Sequence, residues 1–161
     1  MTTKQGSVSL LNDPVAQKLL QAKTPARLAY VWSDGTPRVE PIWFHWDGKQ
    51  IVLASPGGAP KVHVLKTGAS VAITIDTSDA PYKVLLIRGT VAVTLVDGIV
   101  PEYALSAERY SGKEGGQAWV NQTIQMGVKQ WIRIAVTPNW VGIIDMEQRF
   151  PSAFEKAMEG K

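Results

Sequence analysis

The sequence predicts a mainly β domain in which antiparallel strands close into a small barrel with short helices at its periphery. Three observations predict it. Runs rich in β-branched and aromatic residues recur along the chain, and tight-turn signals such as Ser33-Asp34-Gly35, Asp47-Gly48 and Asp97-Gly98 separate them. Helical spacing is confined to short stretches and one insert. Closing such a sheet removes the open edges that would otherwise recruit other strands.

The 161 residues fit one domain spanning residues 1–161. A chain of this size buries roughly two-thirds of its unfolded surface, enough for a core without metals or disulfides. Asp13-Pro14 reads as an N-cap with proline in the first turn, and Val15, Ala16, Leu19 and Leu20 then recur at helical spacing. Arg27–Trp32 is the first strand, Pro37–Trp46 the second and Ile51–Ala54 the third, together a meander. Ser55–Pro60 breaks the sheet, and Lys61–Lys66 before Gly68 has the length and terminal glycine of a short helix.

Ser70–Thr77 is a fourth strand, with Val71, Ile73 and Ile75 on one face. Lys83–Val96 is a long fifth strand that must bend or carry a bulge near Gly89. Residues 101–127 read as a helical insert, one or two helices divided at Ser111-Gly112-Lys113. Lys129–Thr137 and Trp140–Met146 flank Pro138-Asn139 as a final hairpin, and Ser152-Ala-Phe-Glu155 has the pattern of a capping box opening a last helix. No internal repeat or low-complexity linker interrupts this order.

Composition narrows the function. Without cysteine there is no disulfide, thiolate metal site or cysteine nucleophile. A net charge of +3 from singly scattered basic residues lacks the runs that track a nucleic-acid backbone. No apolar stretch approaches the ~20 residues that span a bilayer. A soluble, unexported, cytoplasmic protein without nucleic-acid or membrane partners is the expectation. Patterns for a dinucleotide Gly-x-Gly-x-x-Gly turn, a P-loop and a nucleophile elbow are missing. His45 and His63 are the two imidazoles, with no spacing that suits a metal, so no metal site is expected.

Two segments carry chemistry. Ser55 ends a strand and Lys61 opens the next element, with Gly57, Gly58 and Ala59 between them. A helix start offers unpaired N–H groups, glycines allow close backbone approach, and the ammonium adds charge, a combination suited to a phosphate monoester. The same residues also describe a turn, a cap and a solvated lysine, and spacing alone leaves both open. The second segment is Arg38-Val39-Glu40-Pro41-Ile42-Trp43, where Pro41 must leave a ladder rung unpaired at an edge, a bulge or a ligand. A flat polar ring could pair with that backbone while Trp43 supplies apolar area; an edge strand beside a tryptophan cluster is the alternative. Tyr103, Tyr110 and Trp119 of the insert could roof such a pocket or simply form core.

Taken together, Gly35-Thr-Pro-Arg-Val-Glu-Pro-Ile-Trp-Phe44, Asp47-Gly-Lys-Gln-Ile-Val-Leu-Ala-Ser55, Pro60-Lys61, Leu65, Ala69-Ser-Val-Ala-Ile-Thr-Ile75, Arg88-Gly-Thr-Val91 and Ile132-Arg-Ile-Ala-Val-Thr-Pro-Asn-Trp-Val141 resemble the pyridoxamine 5′-phosphate oxidase-like, FMN-binding split-barrel family. The resemblance covers most of residues 14 to 146. It implies a split barrel that binds FMN between two subunits of a homodimer. It places the phosphate on Ser55 and Lys61, and the ring and ribityl chain along Val39, Pro41, Ile42 and Trp43; from position alone, Arg38 or Arg88 would be a donor near the flavin that tunes its potential. The implied activity is a flavin-dependent oxidoreductase acting on a small molecule, with the redox chemistry residing in the cofactor.

Two positions depart from the family pattern. Pro60 and His63 stand where many relatives carry basic residues, which opens the alternatives of a deazaflavin coenzyme or, through His63, haem. A non-catalytic cofactor-binding module is the corresponding non-enzyme reading. The C-terminal tail lacks the extension that carries the vitamin substrate pocket of true pyridoxamine phosphate oxidases, so that activity is not expected.

Overall fold

Asp13 accepts a hydrogen bond from the Val15 N–H at 2.9 Å and caps α1 (Pro14–Leu20), which turns Ala16, Leu19 and Leu20 into the core. This start agrees with the helix expected from the sequence. A computed structural model describes residues 4–160. After α1 come β1 (Ala26–Val31), β2 (Pro37–Ile42), β3 (Phe44–Trp46), β4 (Ile51–Pro56), β5 (Ser70–Asp76) and β6 (Lys83–Asp97). Helix α2 (Pro101–Gln125), β7 (Gln130–Asp145) and α3 (Ser152–Glu159) complete the order.

All seven strands join one antiparallel sheet in the order β2-β1-β5-β6-β7-β4-β3. Its two edges are β2 and β3, which are consecutive in the chain and separated by Trp43 alone. The second strand of the sequence reading is thus divided: residues 37–42 pair with β1 and residues 44–46 with β4. A simple meander is corrected to a chain that steps from one edge of the sheet to the other. The sheet is left open, and its ends are tethered by covalent chain rather than by a ladder.

Alternation of side chains places Leu28, Phe44, Leu53, Ile73, Leu85, Ile87 and Ile134 on the inner face, where each is essentially fully buried. Helix α1 packs against β5, β6 and β7 and covers this core.

The bend expected near Gly89 is present. The β6–β7 register shifts between Arg88 and Gly89, so that Arg88 faces Trp140 while Gly89 faces Pro138, leaving Asn139 as the extra residue of a bulge. A Cβ on Gly89 would lie 2.3 Å from the Thr137 carbonyl oxygen, so close an approach that the position demands glycine. The hairpin expected at Pro138-Asn139 does not form: β7 runs unbroken through both residues, because the bulge absorbs the proline that an ordinary ladder would reject.

The insert is one element with a break, since Gly112 inside α2 takes φ 77° and ψ 170°. Two other expectations are corrected. Residues 61–66 are not a helix of useful length; Pro60–His63 makes one 3₁₀ turn without a side-chain cap. Ser152 does not build a capping box either, because α3 is capped at Pro151 with no side-chain hydrogen bond.

Gly89→Ala should lower stability by about 1–3 kcal/mol through overpacking at the bulge. Gly58→Ala, where a Cβ meets nothing within 4 Å, should change it by less than about 0.5 kcal/mol. Urea denaturation of the two variants checks the contrast.

Candidate cofactor site

The alternation of β2 separates its residues into two sets. Arg38, Glu40 and Ile42 stand opposite Tyr30, Leu28 and Ala26, and Leu28 and Ala26 are core residues, so this set faces inward. Val39 and Pro41 oppose Ala29 and Arg27 on the outer face, where Val39 is 69% exposed. As an edge strand with β1 on one side, β2 accommodates Pro41 and leaves backbone groups free on the other side. A cleft of about 370 Å³ lies here, lined by Pro25, Arg27, Val39, Glu40 and Pro41.

Ser55 ends the inward-facing series Ile51, Leu53, Ser55 on β4 and pairs with Ile132 of β7. It is 1% exposed, yet its Oγ has no hydrogen-bond partner. Buried hydroxyls nearly always find a partner, so the Ser55 hydroxyl is available to a water or a ligand atom, as are the unpartnered Trp131 indole N–H and Arg109 Nε elsewhere. In the turn that follows, Lys61 Nζ lies 3.0 Å from Glu40 Oε2, with the lysine side chain 14% exposed. The second carboxylate oxygen of Glu40 is buried and unpartnered. Burial raises the Tyr30 pKa, and the negative charge of nearby Glu40 raises it further.

Ser55 and Lys61 thus keep the residue types suited to a phosphate, with the serine hydroxyl unused and the lysine paired with Glu40. Lys61 does not open a helix with a dipole to offer, because the single 3₁₀ turn Pro60–His63 has no aligned macrodipole.

Arg38 and Arg88 have other partners. Arg38 is engaged at the β1–β2 turn, 3.7 Å from Asp34 and with its guanidinium 5.8 Å from the centre of the Trp32 ring. Arg88 lies on the outer face with its guanidinium 4.2 Å from the Trp140 ring centre. It borders a groove of about 410 Å³ whose lining includes Tyr30, Pro37 and Val71 but neither Ser55 nor Lys61. Ile42 packs against the core.

Trp43, the link between the sheet edges, is half-buried under α2. Its ring stacks on Tyr110 at 4.9 Å and on Tyr103 at 5.9 Å, with Trp119 at 5.7 Å. The Trp119 indole N–H donates to the Tyr103 hydroxyl at 2.6 Å, and the Tyr110 hydroxyl donates to the Thr24 carbonyl at 3.0 Å. The aromatics of the insert thus form a packed cluster that fixes Trp43.

Arg109, which the sequence did not single out, donates from its guanidinium to the carbonyls of Leu20 and Phe44 and lies over the Phe44 ring. Glu102 accepts from Arg133 at 2.7 and 2.9 Å; these bonds hold its pKa low although burial opposes them. Beneath α2, His45 has its pKa lowered first by burial and then by the Arg109 charge, against the weaker pull of Glu102 and Asp47. Among the described residues, no three His, Asp or Glu side chains gather as a metal site.

The Lys61–Glu40 pair was also missed as a partnership. Period-two alternation from Ile42 does place Glu40 on the inner side, but no sequence signal brings Lys61 to it.

An open antiparallel sheet whose strand order brings two consecutive strands to its opposite edges is the architecture of the split-barrel class. The chain belongs to the pyridoxamine 5′-phosphate oxidase family, whose model matches residues 13–138. Among solved structures it is similar to an F420 reductase, at 27% identity and a TM-score of 0.61 over 78% of this chain and 94% of that one. A FAD and heme binding protein from Mycobacterium smegmatis shares 18% identity and a TM-score of 0.58, covering 97% of this chain and 79% of its own. A heme storage protein from Vibrio cholerae shares 16% identity and a TM-score of 0.56, covering 83% and 93% respectively. The last two likenesses show the fold. Comparison with curated proteins returns no match. No helix among the described residues is long and apolar enough to cross a membrane.

The depressed His45 pKa has a definite sign. The folded state holds fewer protons than the unfolded state below the ordinary imidazole pKa of about 6.5. Stability should therefore decline as pH falls from about 7 towards 5, and His45→Gln should flatten that slope. Urea midpoints of both proteins across this range provide the measurement.

Proposed function

We propose that the protein is an FMN-dependent oxidoreductase of this family that acts on a small molecule, with the cofactor held between two copies of the chain. The observation that carries this reading is the buried, unpartnered hydroxyl of Ser55 at the end of β4, followed by Lys61 in the next turn. When bound, the flavin would supply the redox chemistry, and the protein would supply binding, orientation and electrostatics.

Each residue of the site has a part in that scheme. Ser55 would donate its hydroxyl proton to a phosphate oxygen, and Lys61 would add a charge-assisted bond. The free edge of β2 offers backbone groups to a flat ring, and Val39 and Pro41 give it apolar contact. Trp43, held by its stacked neighbours, fixes the end of that edge. Arg38 at the β1–β2 turn and Arg88 on the outer face are cations that would bias the potential of a flavin bound nearby. A second copy is supported by the outer face of the sheet, where Val31 and Val39 are 62% and 69% exposed beside Pro37 and Pro41.

A second reading is a deazaflavin-dependent reductase. It is supported by the likeness to the F420 reductase and by Pro60 and His63, which leave Lys61 as the one lysine or arginine between Ser55 and Leu65.

The absorbance of whatever small molecule copurifies with the protein separates the two, since FMN has a band near ~450 nm and a deazaflavin near ~420 nm. Lys61→Ala should weaken FMN binding by roughly 1.5–3 kcal/mol while leaving riboflavin nearly unchanged. Equal losses for both ligands, measured by fluorescence titration, would remove Lys61 from the phosphate site.

A further inference from the structure

We propose that Glu40 is a built-in counter-anion of the cofactor site: its carboxylate occupies Lys61 until a ligand phosphate displaces it, so that binding exchanges one anion for another. The proposal rests on Lys61 being the phosphate anchor. It adds a residue that tunes the site's selectivity for the charge of the ligand.

The geometry points there in three ways. First, the contact is close at 3.0 Å, so the carboxylate occupies the ammonium of Lys61 directly. Second, the arrangement leaves two polar atoms stranded. Glu40 Oε1 and Ser55 Oγ are both buried without a partner, so the carboxylate that neutralises Lys61 does not reach the serine. A phosphate monoester has three terminal oxygens, so one that took the place of the carboxylate on Lys61 would have oxygens left to offer a hydroxyl such as that of Ser55.

Third, Glu40 is placed to leave. It sits on the edge strand β2 between exposed Val39 and Pro41, lines the cleft of about 370 Å³, and is itself 30% exposed. A partly solvated ion pair at an edge is weak enough for a competing anion to break.

Ligand selectivity follows from charge. A dianionic phosphate must expel the carboxylate or lie against it, whereas a neutral flavin meets no such opposition. Glu40 would then keep Lys61 ordered in the empty protein and set a threshold against weakly held anions.

Glu40→Gln keeps the shape and removes the charge, and Glu40→Ala removes both. Either substitution should tighten FMN about tenfold and leave riboflavin within about twofold, measured by fluorescence titration. In a Lys61→Ala background the gain for FMN should vanish. Weaker FMN binding by both variants, equal changes for FMN and riboflavin, or a gain that persists without Lys61 would overturn the proposal.

Inorganic phosphate separates this inference from the functional reading. If the wild-type protein binds neither flavin, the flavin reading fails, and the dependence of melting temperature on phosphate concentration still decides the role of Glu40. A phosphate-dependent rise in Glu40→Gln that exceeds the wild-type rise and disappears with Lys61→Ala supports the exchange. An equal response in all three proteins, or none, overturns it.

Discussion

The two edges of the sheet meet at a single residue, and the rest of the molecule is arranged around that junction. Strands β2 and β3 are the outermost strands on opposite sides of the sheet, yet Trp43 is the sole residue between them. No ladder closes the gap. The covalent chain does, and it requires the residue at the step to be held firmly. Phe44 is fully buried immediately after it, while Arg109 secures the Phe44 carbonyl and ring from outside the barrel. The three aromatic rings around Trp43 all come from α2, so the long insert works as a clamp on the junction.

That clamp explains why the candidate site lies where it does. Because β2 ends at the junction, it keeps one side unpaired, and proline is tolerated within it. Unpaired backbone, exposed Val39 and Pro41, and the cleft beside them all follow from the same open edge. The inner face of that short strand supplies Glu40, which meets Lys61 arriving from the turn after β4. Polar groups from two separate segments thus meet beside the edge where the sheet is split.

The sequence disclosed a good deal of this. Alternating Val71, Ile73 and Ile75 defined β5, and Gly89 announced the bend of β6 because only a residue without Cβ admits the Thr137 carbonyl so closely. Ser55 and Lys61 stood out because hydroxyl, glycines and ammonium are spaced for an anion, and the structure leaves the serine hydroxyl unpartnered and pairs the lysine with Glu40. Other features were hidden for identifiable reasons. Pro138 looked like a turn because its conflict with a ladder is local, while the bulge that resolves it belongs to the β6–β7 pairing. Lys61–Lys66 looked helical from length and glycine alone, but Leu65 is buried and the segment makes only one 3₁₀ turn before it. Arg109 gave no sign, since its partners are carbonyls of Leu20 and Phe44, far away in the chain.

Local chemistry therefore determined the strands, the turns, the break at Gly112 and the residue types suited to a phosphate, because each depends on neighbours within a few positions. Tertiary structure decided which of those residues meet. It split one expected strand into the two edges of the sheet, set Arg38 beside Trp32 and Arg88 beside Trp140, and joined Lys61 to Glu40. These outcomes depend on strand register and on which face of the sheet a side chain takes, and register is fixed only when the whole sheet pairs.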